Sequence, residues 1–169
     1  EWPTTEQFQS ADVLVFYYWN RHWDAEKLRQ LDEFFARGGG MVVLHSATIG
    51  NPDSAQLAER IGLASDSGRT KYLHTPMVLQ IVAPTNHPIT RGLPSQIHFI
   101  DEPYWPLIGD ANNVEVLATT EQDGQAWPMM WTFQKGKGRV FASILGHYTW
   151  TFDDPYFRIL ILRGIGWAA

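Results

Sequence analysis

The sequence predicts an α/β domain, a mainly parallel sheet flanked by helices with an antiparallel addition toward the C-terminal half. Three observations carry this. Two continuous apolar runs, residues 13–17 and 41–44, bracket an amphipathic stretch that starts at Asp24 and stops at Gly38. Two further apolar runs, residues 129–133 and 139–144, are joined by a tight glycine-bearing turn at 134–138. Asp154-Pro155 opens a terminal helix, proline being suited to the first helical position. Alternating strand and helix signals of this kind describe layered α/β architecture.

Each element has its own reason. Residues 13–17 are apolar without alternation, as in a strand buried on both faces. Asp24 is a good N-cap; Leu28, Leu31, Phe34 and Phe35 then share one helical face, and Gly38 closes the helix. Gly38-Gly39-Gly40 leads straight into the second apolar run, so residues 11–44 form one βαβ unit with neighbouring parallel strands. A loop over residues 46–53 precedes a short helix near Ser54–Ile61, ended by Gly62. Strands are expected at 77–82, 96–100 and 114–118, with a turn at 85–88. The terminal helix presents Phe157, Leu160, Ile161, Ile165 and Trp167.

A chain of 169 residues suffices for one domain, residues 1–169, with a substantial core. The absence of cysteine excludes disulfides, thiolate metal sites and cysteine nucleophiles together. A net charge of −5 argues against a nucleic-acid partner. No apolar run reaches the roughly 18 residues of a membrane span, and residues 1–10 are polar rather than signal-like. The compartment stays open between cytoplasm and, for a processed chain, periplasm or exterior; homo-oligomerisation stays open too. Eight Trp, six Tyr and nine Phe are the unusual feature. Most belong in the core, and the remainder suit the C–H faces of a sugar.

In an open parallel sheet, ligands sit at the carboxyl ends of strands. His45 directly follows residues 41–44, and His147 follows 139–144 by way of Gly146. Asp101-Glu102 follows residues 96–100 amid Phe99, Tyr104 and Trp105, apolar company expected to raise the Glu102 pKa by desolvation. His45, Glu102 and His147 are therefore the candidate catalytic groups. His74 and His87 are candidates for the rim of the same pocket, and Tyr104, Trp105 and Trp150 for its apolar wall. A lone histidine is more often structural; His22 and His98 are read that way, and His87-Pro88 also suits simple turn chemistry. No ligand pair has helical metal-site spacing, so neither a cofactor nor a tightly bound structural metal is expected. A divalent cation, if held, would use His45, Glu102 and His147. No serine sits in a nucleophile elbow, and no dinucleotide glycine loop follows a strand.

Four segments, in order, resemble those of one family. Gly38-Gly39-Gly40-Met41-Val42-Val43-Leu44-His45-Ser46-Ala47 resembles the glycine–apolar–histidine segment of ThuA-like (trehalose-utilisation) proteins. His87-Pro88-Ile89-Thr90-Arg91-Gly92-Leu93-Pro94, Asp101-Glu102-Pro103-Tyr104, and Gly136–Phe141 with Leu145-Gly146-His147 resemble its three later segments. The resemblance implies a flavodoxin-like fold of the class I glutamine-amidotransferase type, with His45 at the position of the amidotransferase cysteine. It implies a link to the catabolism of trehalose and other disaccharides. Family members begin with a further strand and helix, so that unit is expected to be missing here. Two functions follow: an enzyme using acid/base chemistry on a sugar or keto-sugar (an isomerase, lyase or hydrolase, with no glutamine hydrolysis), or a non-catalytic carbohydrate-binding module or subunit. Convergence of His45, Glu102 and His147 on one pocket separates them.

Overall fold

A computed structural model describes residues 2–169. The first element is a helix the sequence reading passed over, α1 (Thr5–Ser10). Thr4 accepts from the Gln7 N–H while the Gln7 side chain accepts from the Thr4 N–H, a reciprocal cap. The Thr-x-x-Gln spacing was the available signal; polarity alone hid it.

The βαβ unit forms with its expected parallel pairing, β1 (Val13–Phe16), α2 (Ala25–Ala36) and β2 (Gly40–Leu44), with Val13 opposite Gly40; β1, however, is an edge strand with Val15 exposed, not one buried on both faces. Asp24 caps α2 by accepting from the Lys27 N–H. At its other end, Gly38 N–H donates to Phe35 and Gly39 N–H to Phe34, a paired closure that needs the positive φ of 103° at Gly38. Leu28, Leu31, Phe34 and Phe35 are all buried, each burial being worth about 1.5–3 kcal/mol. α3 (Ser54–Ile61) follows with the bounds its pattern predicts.

Then the chain lays down β3 (Lys71–Tyr72), β4 (Thr75–Ile81), β5 (Gln96–Asp101), β6 (Tyr104–Trp105), β7 (Glu115–Gln122), β8 (Gln125–Lys135) and β9 (Gly138–Ser143). Two helices, α4 (Thr149–Asp153) and α5 (Pro155–Ala168), close it. β3 and β6 form a small separate ribbon. The other seven strands form one sheet in the order β1-β2-β9-β8-β7-β4-β5.

The sheet is mixed, which corrects the expectation of a mainly parallel one. Among the described strands, β1–β2 and β2–β9 pair in parallel, and β9–β8, β8–β7, β7–β4 and β4–β5 are antiparallel. The antiparallel strands are inserted between β2 and β9 along the chain, and the C-terminal strand returns to the parallel part. Short connections explain this. The turns at 123–124 and 136–137 allow only antiparallel neighbours. Helices cover both faces of the parallel part: Gly138 packs under Phe35 of α2, whereas Phe141, three residues on and so on the opposite face, packs against Gly164 of α5.

The sheet is strongly curled. In a flat sheet, β9 and β5, four places apart, would stand about 19 Å apart at the usual spacing of ~4.8 Å. Yet the Asp101 carboxylate at the end of β5 accepts from the backbone N–H of Gly146 and His147, just past β9, at 3.1 and 3.0 Å. Accumulated twist and the register shifts of β7 near Ala118 provide the bend.

Candidate functional site

Strand direction decides what reaches the site. β2, β9 and β5 all point the same way, so His45, the segment up to His147, and Glu102 emerge at one edge. β4 runs the opposite way, so the residue before it, His74, joins that edge. His87, after β4, is carried to the far edge.

The curl then brings these groups into contact. His45 Nε2 lies 3.3 Å from Glu102 Oε2 and 3.1 Å from His147 Nδ1. His147 Nδ1 lies 3.1 Å from the same Glu102 oxygen. The Tyr104 hydroxyl donates to Glu102 Oε2 at 2.9 Å and stands 3.1 Å from His45 Nε2. His74 Nε2 reaches the other carboxylate oxygen at 3.1 Å, and its Nδ1 meets the Tyr148 hydroxyl at 2.7 Å. Because the carboxylate can only accept, Nε2 of His74 carries the hydrogen and Tyr148 donates.

Three devices hold this geometry. His45 sits at a φ of 52°, in the left-handed region that non-glycine residues seldom occupy. Its Nδ1 is 2.9 Å from the Ile144 carbonyl, so Nδ1 carries the hydrogen and, in the neutral ring, Nε2 presents a bare lone pair to the cluster. Gly146 has a φ of 127°, and any side chain there would also press on Phe152. Asp101 is fully buried and accepts four bonds, from the backbone of Glu102, Gly146 and His147 and from the Thr151 hydroxyl at 2.5 Å. It joins the end of β5 to the loop that presents His147.

Burial is the largest influence on Glu102 and acts to raise its pKa, as the sequence reading expected. A hydrogen bond from His45 when its ring carries a second hydrogen, another from the Tyr104 hydroxyl, and the charges of the protonated His147 and His45 rings outweigh it, and the net shift is downward. Glu102 is thus a carboxylate at neutral pH. Tyr104 is pushed up, first by burial and then by the Glu102 charge, so it stays a hydroxyl donor.

The cluster forms one wall of a cavity of about 600 Å³, within the range of small-molecule sites. Besides the cluster, Trp19, Tyr72 and Ile49 supply apolar surface and Ser46, Ser65, Asp66, Ser67 and Thr70 supply polar groups. Trp19 and Tyr72 are 41% and 64% exposed, and the Arg21 guanidinium lies over one face of the Trp19 ring.

Three expected lining residues do not line it. His87 is at the far edge, where it accepts from the Ile89 N–H and faces Glu115; it serves the turn. Trp105 follows Tyr104 in an extended ribbon, so the two side chains point oppositely; its indole donates to Asp123 instead. Trp150 lies on α4, half-exposed, stacked on Tyr148 at 4.0 Å and bonded to the Ile100 carbonyl. The residues the sequence reading missed had uneven signals. Trp19 lies just past β1 and was open to the same strand-end rule. Residues 65–72 follow no strand of the main sheet, so that rule could not find them.

The family model for ThuA, described as trehalose utilisation, matches residues 2–168. No curated protein matches the chain. Among solved structures, a ThuA-like protein of Parabacteroides merdae is 25% identical with a TM-score of 0.78, the match covering 95% of this chain and 71% of that one. A ThuA-like protein of Bacteroides uniformis is 17% identical at a TM-score of 0.74, covering 98% and 75%. Part of a β-galactosidase from Rahnella sp. R3 also superimposes, at 13% identity and a TM-score of 0.59 over 90% of this chain and 21% of that one, a likeness of fold alone.

Proposed function

The chain belongs to the ThuA (trehalose-utilisation) family, and on that premise we propose that it transforms an unphosphorylated sugar or keto-disaccharide by acid/base chemistry. The family supports a carbohydrate-related role. The convergence of His45, Glu102, His147 and Tyr104 at the floor of one cavity carries the finer reading. A module that only binds sugar has no use for four ionisable side chains packed against one another, with a glutamate held as carboxylate among them.

The roles follow from the protonation preferences. Glu102 accepts a proton from a substrate hydroxyl or from a carbon beside a carbonyl. Once Glu102 has taken the proton, the Tyr104 hydroxyl is released from it and donates to the oxygen on which charge develops. His45, its Nδ1 fixed on the Ile144 carbonyl, and His147 relay the proton onward. Trp19 and Tyr72 offer ring faces for the sugar, and the serines, Thr70 and Asp66 offer partners for its hydroxyls. Among the described residues neither Lys nor Arg is a lining group, and Arg21 lies over the Trp19 ring, so the lining itself suits sugar hydroxyls better than a phosphate.

A screen against trehalose, sucrose, maltitol and their 3-keto forms, following product by mass spectrometry, tests the reading. Glu102→Gln should lose about 10²–10⁴-fold in turnover while keeping the fold. Binding without turnover across the set would favour a binding module, and unchanged turnover in the Gln variant would sink the assignment of Glu102.

A further inference from the structure

We infer that His45 Nε2, His147 Nδ1 and Glu102 Oε2 form a three-ligand site for a first-row divalent transition cation, with zinc as the default occupant. The inference concerns the same cavity as the proposed sugar chemistry but stands on separate observations.

The first is metric. The three atoms form a nearly equilateral triangle, with edges of 3.1, 3.1 and 3.3 Å. Ligand bonds of about 2.0–2.1 Å, spread by about 100–107° around one ion, span edges of roughly 3.1–3.3 Å. Each residue thus offers one ligand atom to a common centre.

The second is a count of hydrogens. The neutral His45 ring has a single N–H, and Ile144 takes it. Its Nε2 is bare, and Glu102 has no hydrogen to give as a carboxylate. In the neutral cluster one hydrogen at most, on His147 Nδ1, serves three short edges. A cation serves all three at once.

The third is the support around the ligands. A metal-bound histidine ordinarily donates its other ring N–H to a carbonyl or carboxylate, and ligating carboxylates are themselves hydrogen-bonded. His45 donates to the Ile144 carbonyl. Glu102 accepts from Tyr104 on the ligand oxygen and from His74 on the other. The buried Asp101 fixes the backbone of both Glu102 and His147.

Two imidazoles and one carboxylate suit zinc, iron(II) or their neighbours, whereas magnesium and calcium prefer all-oxygen shells. The ligands come from the ends of three different strands, which is why no local spacing motif announces them. A cation there would polarise a sugar carbonyl or hydroxyl oxygen in the cavity.

The test uses the full chain, stripped with chelator and titrated with Co²⁺ by visible absorption and with Zn²⁺ by calorimetry. The expected result is one equivalent bound, with Zn²⁺ displacing Co²⁺. Glu102→Gln and His147→Ala should each weaken binding at least about 100-fold, and His87→Ala, at the far edge, should not change it. Circular dichroism checks that every variant is folded; should His147→Ala fail, the near-isosteric Glu102→Gln still decides. No stoichiometric binding by the folded parent, or undiminished binding in the Glu102→Gln variant, would overturn the inference. Turnover of a sugar by chain that binds no Co²⁺ would overturn it while leaving the sugar reading intact. Stoichiometric Co²⁺ without turnover would uphold the cation site and remove the sugar reading.

Discussion

Asp101→Asn should destabilise the protein well beyond what so conservative a change suggests. One oxygen of Asp101 accepts from the Glu102 and His147 N–H groups and the other from the Gly146 N–H and the Thr151 hydroxyl. Asparagine replaces one oxygen by an NH₂ group that can only donate. Placed toward Glu102 and His147, it confronts two fixed backbone donors and orphans both, at about 1–3 kcal/mol each. Placed toward Thr151, it lets that hydroxyl rotate and accept, leaving only the Gly146 N–H orphaned. The second arrangement wins and sets the loss at about 2–4 kcal/mol, counting the orphan and one forfeited bond. For a chain of this size each kcal/mol lowers Tm by about 2–4 °C, so a fall of roughly 5–15 °C is expected. Thermal unfolding followed by circular dichroism at constant pH measures it. A Tm within about 2 °C of the parent would refute the reasoning, because it would mean that these donors find other partners.

Gly146→Ala should cost about 1–3 kcal/mol, since φ is 127° and the new methyl would meet Phe152; urea unfolding at a constant slope checks it. Trp105→Phe loses the indole bond to Asp123, about 1 kcal/mol, yet should leave sugar affinity unchanged because the ring faces away from the cavity; a melt beside a binding titration shows both. Trp19→Ala should weaken sugar binding by about 5-fold, the worth of roughly 1 kcal/mol of ring contact, read by calorimetry. The Gly68 N–H and the Ser54 hydroxyl hold the Asp66 pKa below its ordinary value. Its contribution to stability is therefore present above the unfolded pKa and is lost as pH falls through the lower folded one. Asp66→Asn should make stability less pH-dependent across that acid window, and parallel acid melts of the two proteins with equal slopes would contradict this.

Much of the parallel half of the fold was legible because its signals are local. The Asp24 cap, the Gly38 closure and the apolar runs of β1 and β2 each lie within a few residues of what they specify. The histidines were found by one rule, that strand ends gather at an edge, and it worked for His45 and His147 because β2 and β9 are parallel. It misplaced His87 because β4 runs the other way, a direction set by pairing with β5 and β7 rather than by its own residues. Trp105 was misread because alternation along an extended ribbon turns it away from Tyr104. The Glu102 shift went the wrong way because Tyr104, two residues on, reads in the sequence as apolar company rather than as a hydroxyl donor, and because His45 and His147 are brought to it only by the fold. The curl was not legible at all. It resides in the register shifts of β7 and in bonds from Asp101 to residues 45, 46 and 50 positions away.

That curl makes chemistry and folding hard to separate. The pairing of His45 with His147 bridges 102 positions, and the Asp101 bonds close only when the edge strand β5 has swung round to β9. Long loops must lose their freedom before such contacts repay it. The cavity floor is therefore expected to assemble late, and to open first when β5 frays, since an edge strand is among the easiest parts of a sheet to detach. Loss of function on warming would then precede global melting, with the ligand cluster acting as a latch. Any molecule that binds across that latch would hold β5 in place, so ligand affinity and hydrogen-exchange protection along β5 should rise and fall together.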